Sequence, residues 1–318
     1  MTTNDNRRRV TATGEMTLDI VFKDDTPVSA VPGGSALNTI VSLARAGIST
    51  AFVSATGDDY AGRRMRSFLE AEGVDVTSVK TACGMKSTVS LAVLDSRNNA
   101  SYTFYRDSRP LPYDGHPQPM NEGDILMLSS FHAVSPTTRH MTAPLFDEAR
   151  RAGAMVVYDI NFRPAHKADL PDVIQNMTEN LSRADIVRAS TEDLMTVFGT
   201  SDPAEAYCDH IARHCRIMVC TDGDRPVHVF TGTGEPMTFG VRQVEAVSTI
   251  GAGDNYNAGM IYALIRHGIS RHDLATRADG ICWESIAECA AAFAADCCTH
   301  TGNNISREFG MRMRQFGD

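Results

Sequence analysis

The stretch Val247-Ser248-Thr249-Ile250-Gly251-Ala252-Gly253-Asp254-Asn255-Tyr256-Asn257-Ala258-Gly259 decides how this chain reads. Helical spacing follows at Tyr256, Met260, Ile261, Leu264 and Ile265 and stops at Gly268, so Gly251-Ala252-Gly253 is a turn entering a helix. Small residues there let backbone N–H groups approach an anion, and the helix dipole stabilises its charge. Asp254 has two readings. As a first-turn carboxylate it is a cap or dipole partner; beside a bound anion it would repel, unless it accepts a proton from a nucleophile attacking that anion. Tyr256 stands where a dinucleotide fingerprint needs its third glycine, and the glycine pair Gly57/Gly62 lacks the Lys-Ser/Thr of a P-loop, so both motifs are rejected.

Upstream, β-branched runs at 50–55, 125–129, 155–159, 186–188 and 217–221 alternate with amphipathic helical patterns. That rhythm predicts an α/β fold with a mostly parallel central sheet covered by helices on both faces. Two segments break it, at about 16–32 and 86–108, where alternating strands leave no room for a crossover helix. These predict a small β-sheet lid inserted in one domain spanning 1–318.

The 318 residues are 42% hydrophobic and 22% charged, with 24 Gly and 13 Pro, which excludes disordered, collagen-like and coiled-coil chains. A formal charge of -9 disfavours nucleic acid and anionic lipid as partners. The triplet Arg7, Arg8 and Arg9 reads as a frayed terminus with no apolar region after it, and no run approaches 18 apolar residues. A soluble, cytoplasmic protein without membrane partners is expected. Eight cysteines without a C-x-x-C pair read as reduced, mostly buried thiols. His210 and His214 have metal-compatible spacing, but the glutamate and third ligand of a zinc motif are missing.

Two further groups bear on chemistry. Asp19 and Asn38 flank Gly33-Gly34, a set suited to sugar hydroxyls, although Asn38 reads equally as an exposed first-turn residue. Arg163 follows a predicted strand end, where open parallel sheets bind ligands, and Arg106 lies on the predicted lid. Two arginines facing one pocket would suit a carboxylate.

Gly33-Gly34-x-x-x-Asn38, Gly57-Asp58-Asp59-x-x-Gly62, Gly73-Val74 and Gly251-Ala252-Gly253-Asp254 together resemble the ribokinase-like, PfkB-type carbohydrate kinases, over about residues 14–302. The resemblance implies a three-layer α/β/α fold with a β-lid, ATP and Mg²⁺, and a homodimer through the lid. It implies an anion hole at Gly251, Ala252 and Gly253, with Asp254 as the base. It places sugar contacts at Asp19, Gly33, Gly34 and Asn38, with Arg106 and Arg163 as further substrate contacts. Nucleotide contacts fall at Thr221 and Gly223, with adenine near a helix at 291–298. Asp193, in Ser190-Thr-Glu-Asp193, takes the place of a glutamate tied to the Mg²⁺ water network. Ser248 replaces an aspartate associated with a monovalent-cation site, which leaves K⁺ activation open. Ile250 and Pro226 are further departures. Within the family the chain looks like the fructokinase and 2-keto-3-deoxygluconate kinase branches, with fructose the first choice of substrate. A catalytically silent sugar or nucleotide binder is the alternative that the departures suggest.

Overall fold

Along the strand Ile125–Ser129, Ile125 and Met127 join one apolar cluster and Leu126 and Leu128 another, all fully buried. Alternation sends successive side chains to opposite faces, so a strand buried at every position lies between two layers. The computed structural model describes residues 8–95, 100–113, 119–232 and 235–315. Its strands are β1 (Arg9–Thr13), β2 (Thr17–Lys23), β3 (Thr26–Gly33), β4 (Ser49–Gly57), β5 (Val79–Ala82), β6 (Thr88–Leu94) and β7 (Ala100–Tyr105). After these come β8 (Ile125–Ser129), β9 (Met155–Asp159), β10 (Ile186–Ser190), β11 (Met218–Asp222), β12 (Arg225–Phe230) and β13 (Met237–Phe239). The helices are α1 (Ser35–Arg45), α2 (Tyr60–Ala71), α3 (Arg139–Ala152), α4 (Leu170–Arg183) and α5 (Thr191–Phe198). They continue as α6 (Pro203–Ala206), α7 (Ala252–Arg266), α8 (Arg271–Arg277), α9 (Trp283–Cys298) and α10 (Arg307–Gln315).

The main sheet has the order β13-β12-β11-β10-β9-β8-β1-β4-β5. Seven strands, β11 through β5 in that order, run parallel, and β12 and β13 form an antiparallel edge. The three-layer α/β architecture is as expected from the strand–helix rhythm. One face carries α1, α7 and α9, and the other α3, α4 and α5. Helix α7 is buried from Asp254 to Ile265, so it is an interior helix with no solvent stripe.

The lid is a second sheet of order β3-β2-β6-β7. Its outer pairs are antiparallel hairpins, but β2 and β6 pair in parallel, from Thr17↔Thr88 to Phe22↔Val93. Asp24 and Asp25 make the β2–β3 turn with φ of 49° and 58°, the left-handed pair that tight hairpins require.

Several expectations are corrected. Strands β4 and β10 are longer than 50–55 and 186–188, β11 lies one residue later than 217–221, and β1, β5, β12 and β13 were not anticipated. Pro226 lies in β12 where its ladder with β11 slips by one residue, a place that tolerates a missing N–H. Arg8 and Arg9 are not frayed: Arg8 donates to Ile269 O at 2.9 Å, and Arg9 opens β1 and pairs with Asp75; Arg7 lies outside the described residues. Cys215, Cys220 and Cys297 are buried, but Cys83, Cys208 and Cys282 are exposed. His210 stacks on Phe198 and His214 bonds Ser182. Among the described residues no helix is long and apolar enough to cross a membrane.

Candidate active site

From β1 the chain moves outward in both directions, to β4 on one side and β8 on the other. Such a switch point opens a crevice at the carboxyl ends of the strands. There Glu15 follows β1, Ser130 and Phe131 follow β8, and Asn161 and Arg163 follow β9. Helices α1 and α7 aim their N-termini into the same crevice, and Asp19, Tyr102 and Phe104 enter from the lid, enclosing an open cleft of ≈ 660 Å³.

Gly251, with φ +81°, turns the chain into α7, and a Cβ there would stand 2.6 Å from Asn303 O. Ala252 donates its N–H to Thr249 O at 3.2 Å, whereas the N–H groups of Gly253 and Asp254 find no backbone acceptor among the described residues. Those two groups supply the positive end of the helix. Asp254 is 6% exposed. Its Oδ1 accepts from Ser35 Oγ at 2.6 Å and its Oδ2 from Asn38 Nδ2 at 2.8 Å. Ser35 and Ser129 hydroxyls lie 2.6 Å apart. Ser35 gives its one proton to Asp254, and Ser129, which also reaches Asp159 Oδ2 at 3.3 Å, shares a single proton between that carboxylate and Ser35. Each carboxylate oxygen keeps a further lone pair for a substrate hydroxyl.

Gly34 admits α1 to the cleft: its φ is +120°, and a Cβ would meet Glu15 O at 2.1 Å. Gly33 packs on the Asp19 carboxylate. Asn38 is buried, which removes its reading as an exposed residue. Asp19 accepts from Ser90 Oγ at 2.6 Å and Thr17 Oγ1 at 2.7 Å. Burial raises its pKa against these hydrogen bonds, and the charge of Asp254 adds to the rise. Burial likewise raises Glu15, opposed by Arg106 and Thr88 and reinforced by Asp19. Beside these three carboxylates stand the rings of Tyr102, Phe104 and Phe131.

The structure does not bring the two arginines together. Arg163 lines the cleft, with a loose 3.8 Å ion pair to Glu192. Arg106 lines a neighbouring cavity behind Glu15 and Phe131, its guanidinium over the Phe104 and Phe131 rings and 3.4 Å from His166 Nε2. In this arrangement Arg163 lines the cleft and Arg106 stands behind its Phe131 wall. Asp193 sits outside the cleft lining. It caps α5, accepting from Ser190 N at 2.8 Å and Ser190 Oγ at 2.6 Å, and it accepts from Phe162 N at 2.8 Å. Thr221 lies near the end of β11, where its Oγ1 accepts from Arg188, and Gly223 makes the following turn with φ +58°. Neither lines the cleft around Asp254.

Ser35, Ser129, His166 and Arg188 were not singled out from the sequence. Arg188 left a signal, a charge inside the apolar run Ile186-Val187-Arg188-Ala189. Ser35 left only its place beside Gly34.

A lidded cleft with a carboxylate at a helix N-terminus has the parts for moving a phosphoryl group to a hydroxyl. Residues 7–309 match the pfkB family of carbohydrate kinases, and the chain belongs to that family. A fructokinase of Klebsiella pneumoniae is 30% identical over 261 residues, covering 80% of this chain and 84% of the relative. A 5-dehydro-2-deoxygluconokinase of Geobacillus thermodenitrificans is 26% identical over 245 residues, covering 73% of this chain and 72% of the relative. The crystal structure of Vibrio cholerae O395 fructokinase with fructose, ADP and calcium ion bound superposes with a TM-score of 0.80 at 23% identity. That likeness, over 98% of this chain and 100% of the other, is one of fold. The protein is thus a carbohydrate kinase.

Proposed function

We propose that this kinase phosphorylates a primary hydroxyl of fructose from ATP, with Asp254 as general base. The observation that carries the reading is the Asp254 carboxylate, held in the first turn of α7 against a cleft of hydroxyl-binding and aromatic side chains. The acceptor hydroxyl donates to a free lone pair of Asp254 and yields its proton there as its oxygen attacks the γ-phosphorus, whose bond to the β–γ bridging oxygen breaks so that ADP leaves. The Gly251-Ala252-Gly253 turn and the dipole of α7 meet the charge on the phosphoryl oxygens. Asp19, Gly34 and Asn38 orient the sugar. Asn38 Oδ1 is buried without a hydrogen-bond partner among the described residues, an acceptor suited to a sugar hydroxyl.

Thr221 and Gly223 carry the nucleotide, with adenine between their turn and α9. Mg²⁺ travels on the phosphates, where it neutralises charge; no cluster of three or more His, Cys, Asp or Glu among the described residues forms a cage for it. Three carboxylates, Glu15, Asp19 and Asp254, share the cleft with the single Arg163. That balance favours a neutral polyol over an acidic sugar. Arg163, and the deoxygluconokinase relative, favour the acidic sugar as the second reading. The lid edges β3 and β7 expose Val28 and Tyr105, and a homodimer paired there would show its doubled mass in sedimentation.

The test is ADP release from Mg·ATP with fructose, ribose, 2-keto-3-deoxygluconate and nucleosides, each with and without potassium. Fastest turnover of fructose supports the reading. Fastest turnover of the keto-deoxy acid transfers it to the second substrate. No turnover of any sugar, with ATP still raising the melting temperature, supports a silent binder. The potassium arm reads the consequence of Ser248, whose Oγ accepts from Ile250 N at 3.2 Å within its own loop.

A further inference from the structure

Arg188 is a cation in the middle of a parallel sheet, 6% exposed. Its Nη1 lies 3.2 Å from Asp159 Oδ1, and its Nη2 donates to Thr221 Oγ1 at 2.6 Å. Its Nε–H is buried with no hydrogen-bond partner among the described residues. The guanidinium also lies against Gly253. A Cβ at that position would stand 2.8 Å from Nη2 and 3.1 Å from Nη1. Gly253 is not among the positive-φ residues, so its backbone would accept any L residue. The missing side chain makes room for Arg188.

One buried charge therefore touches the end of β9, the end of β11 and the first turn of α7. Its ion-pair partner is shared, since Asp159 Oδ2 also accepts from Asn257 Nδ2 at 2.8 Å. Burial works against the Arg188 charge, but Asp159, Asp193 and Asp254 outweigh it and hold the group protonated. A buried ion pair is a poor device for stability, because an apolar pair of similar volume often does as well. A fixed cation directly under a helix N-terminus instead adds its field to the dipole where an anion arrives.

We propose that Arg188 is a positioning residue for phosphoryl transfer: from beneath Gly253 it fixes the α7 turn against Thr221 and supplies fixed positive charge to the phosphoryl group held there. The proposal rests on the reading of that turn as the phosphate site.

The experiment compares wild type, Arg188→Met, Arg188→Lys and the double variant Arg188→Met/Asp159→Asn. It reads kcat, KM for fructose and melting temperature. Losing one such preorganised group predicts a kcat roughly 10²-fold lower in Arg188→Met, with the KM for fructose unchanged within about threefold. Arg188→Lys recovers most of that loss. The double variant removes the unpaired carboxylate as well, so it regains the wild-type melting temperature without regaining kcat. Recovery of both by the double variant, or wild-type kcat in Arg188→Met, overturns the proposal. If neither neutral variant folds, Arg188→Lys decides: a kcat loss of about tenfold or less with unchanged KM supports the role, and a larger loss overturns it. Wild type without sugar-dependent ADP release refutes the proposed function itself, whereas active wild type beside a fully active Arg188→Met refutes only the role of Arg188.

Discussion

Asn38 donates its side-chain amide to Asp254 Oδ2 across 2.8 Å, joining the fourth residue of α1 to the first turn of α7. The same two helices are tied by Thr39 Oγ1 to Asp254 O at 2.9 Å and by Ser42 Oγ to Asn255 Oδ1 at 2.6 Å. The proposed base is thus oriented by the helix that also carries Asn38, a proposed sugar contact. Preorganisation of this kind lowers the entropy lost in reaching a reactive geometry.

Ser35→Ala removes the 2.6 Å hydrogen bond to Asp254 Oδ1 and breaks the chain from Ser129. Hydrogen bonds to charged groups contribute about 1.5–3 kcal/mol. Steady-state kinetics should show kcat lower by roughly tenfold or more, with the KM for ATP unchanged. An unchanged kcat would show that Asn38 alone orients the carboxylate.

Arg163 faces the cleft and Arg106 does not. Arg163→Ala should therefore depress turnover of 2-keto-3-deoxygluconate more than turnover of fructose. Arg106→Ala should affect both sugars alike, through the lid contact with Phe131 and His166. A loss confined to the acidic sugar in Arg106→Ala would place that guanidinium in the substrate site after all.

Gly251→Ala introduces a side chain at φ +81° and 2.6 Å from Asn303 O. The left-handed conformation costs a non-glycine residue roughly 1–3 kcal/mol, before the contact with backbone is counted. Urea unfolding should register at least that loss, and equal midpoints for both proteins would contradict the turn geometry.

His132 is buried beside Thr13, and burial, with the charge of His140, pushes its pKa down from 6.5 to about 3. A lowered folded pKa means that its contribution is whole above pH 6.5 and is lost as pH falls from there towards 3. His132→Gln should flatten the fall in melting temperature between pH 6.5 and 4 relative to wild type. Parallel curves would mean that His132 charges freely in the folded protein.

Much of this was legible because the fold depends on periodicity. Ile125–Ser129 and Met155–Asp159 were placed to the residue, since apolar runs that end on a polar residue have few alternatives. Short edge elements such as β13, with three residues, carry no such pattern. The parallel pairing of β2 with β6 was hidden because it joins a strand that follows β1 to one that follows β5, which no local turn encodes. Of the site, Gly251, Asp254, Gly34 and Asn38 were readable from glycine placement next to short polar residues. The different fates of Arg106 and Arg163 were not, because they turn on which side of Phe131 each guanidinium lies. The capping role of Asp193 was not read from Ser190-Thr-Glu-Asp193, because that pattern was taken as the place of a metal-linked carboxylate.

The most direct measurement is fructose-dependent ADP release from Mg·ATP by wild type and Asp254→Asn side by side, with ATP affinity measured on both. The account predicts turnover by wild type and a kcat roughly 10²- to 10⁴-fold lower in the variant, with ATP affinity retained. Comparable rates from the two proteins would contradict it, as they would leave the proton of the acceptor hydroxyl without Asp254 as its base.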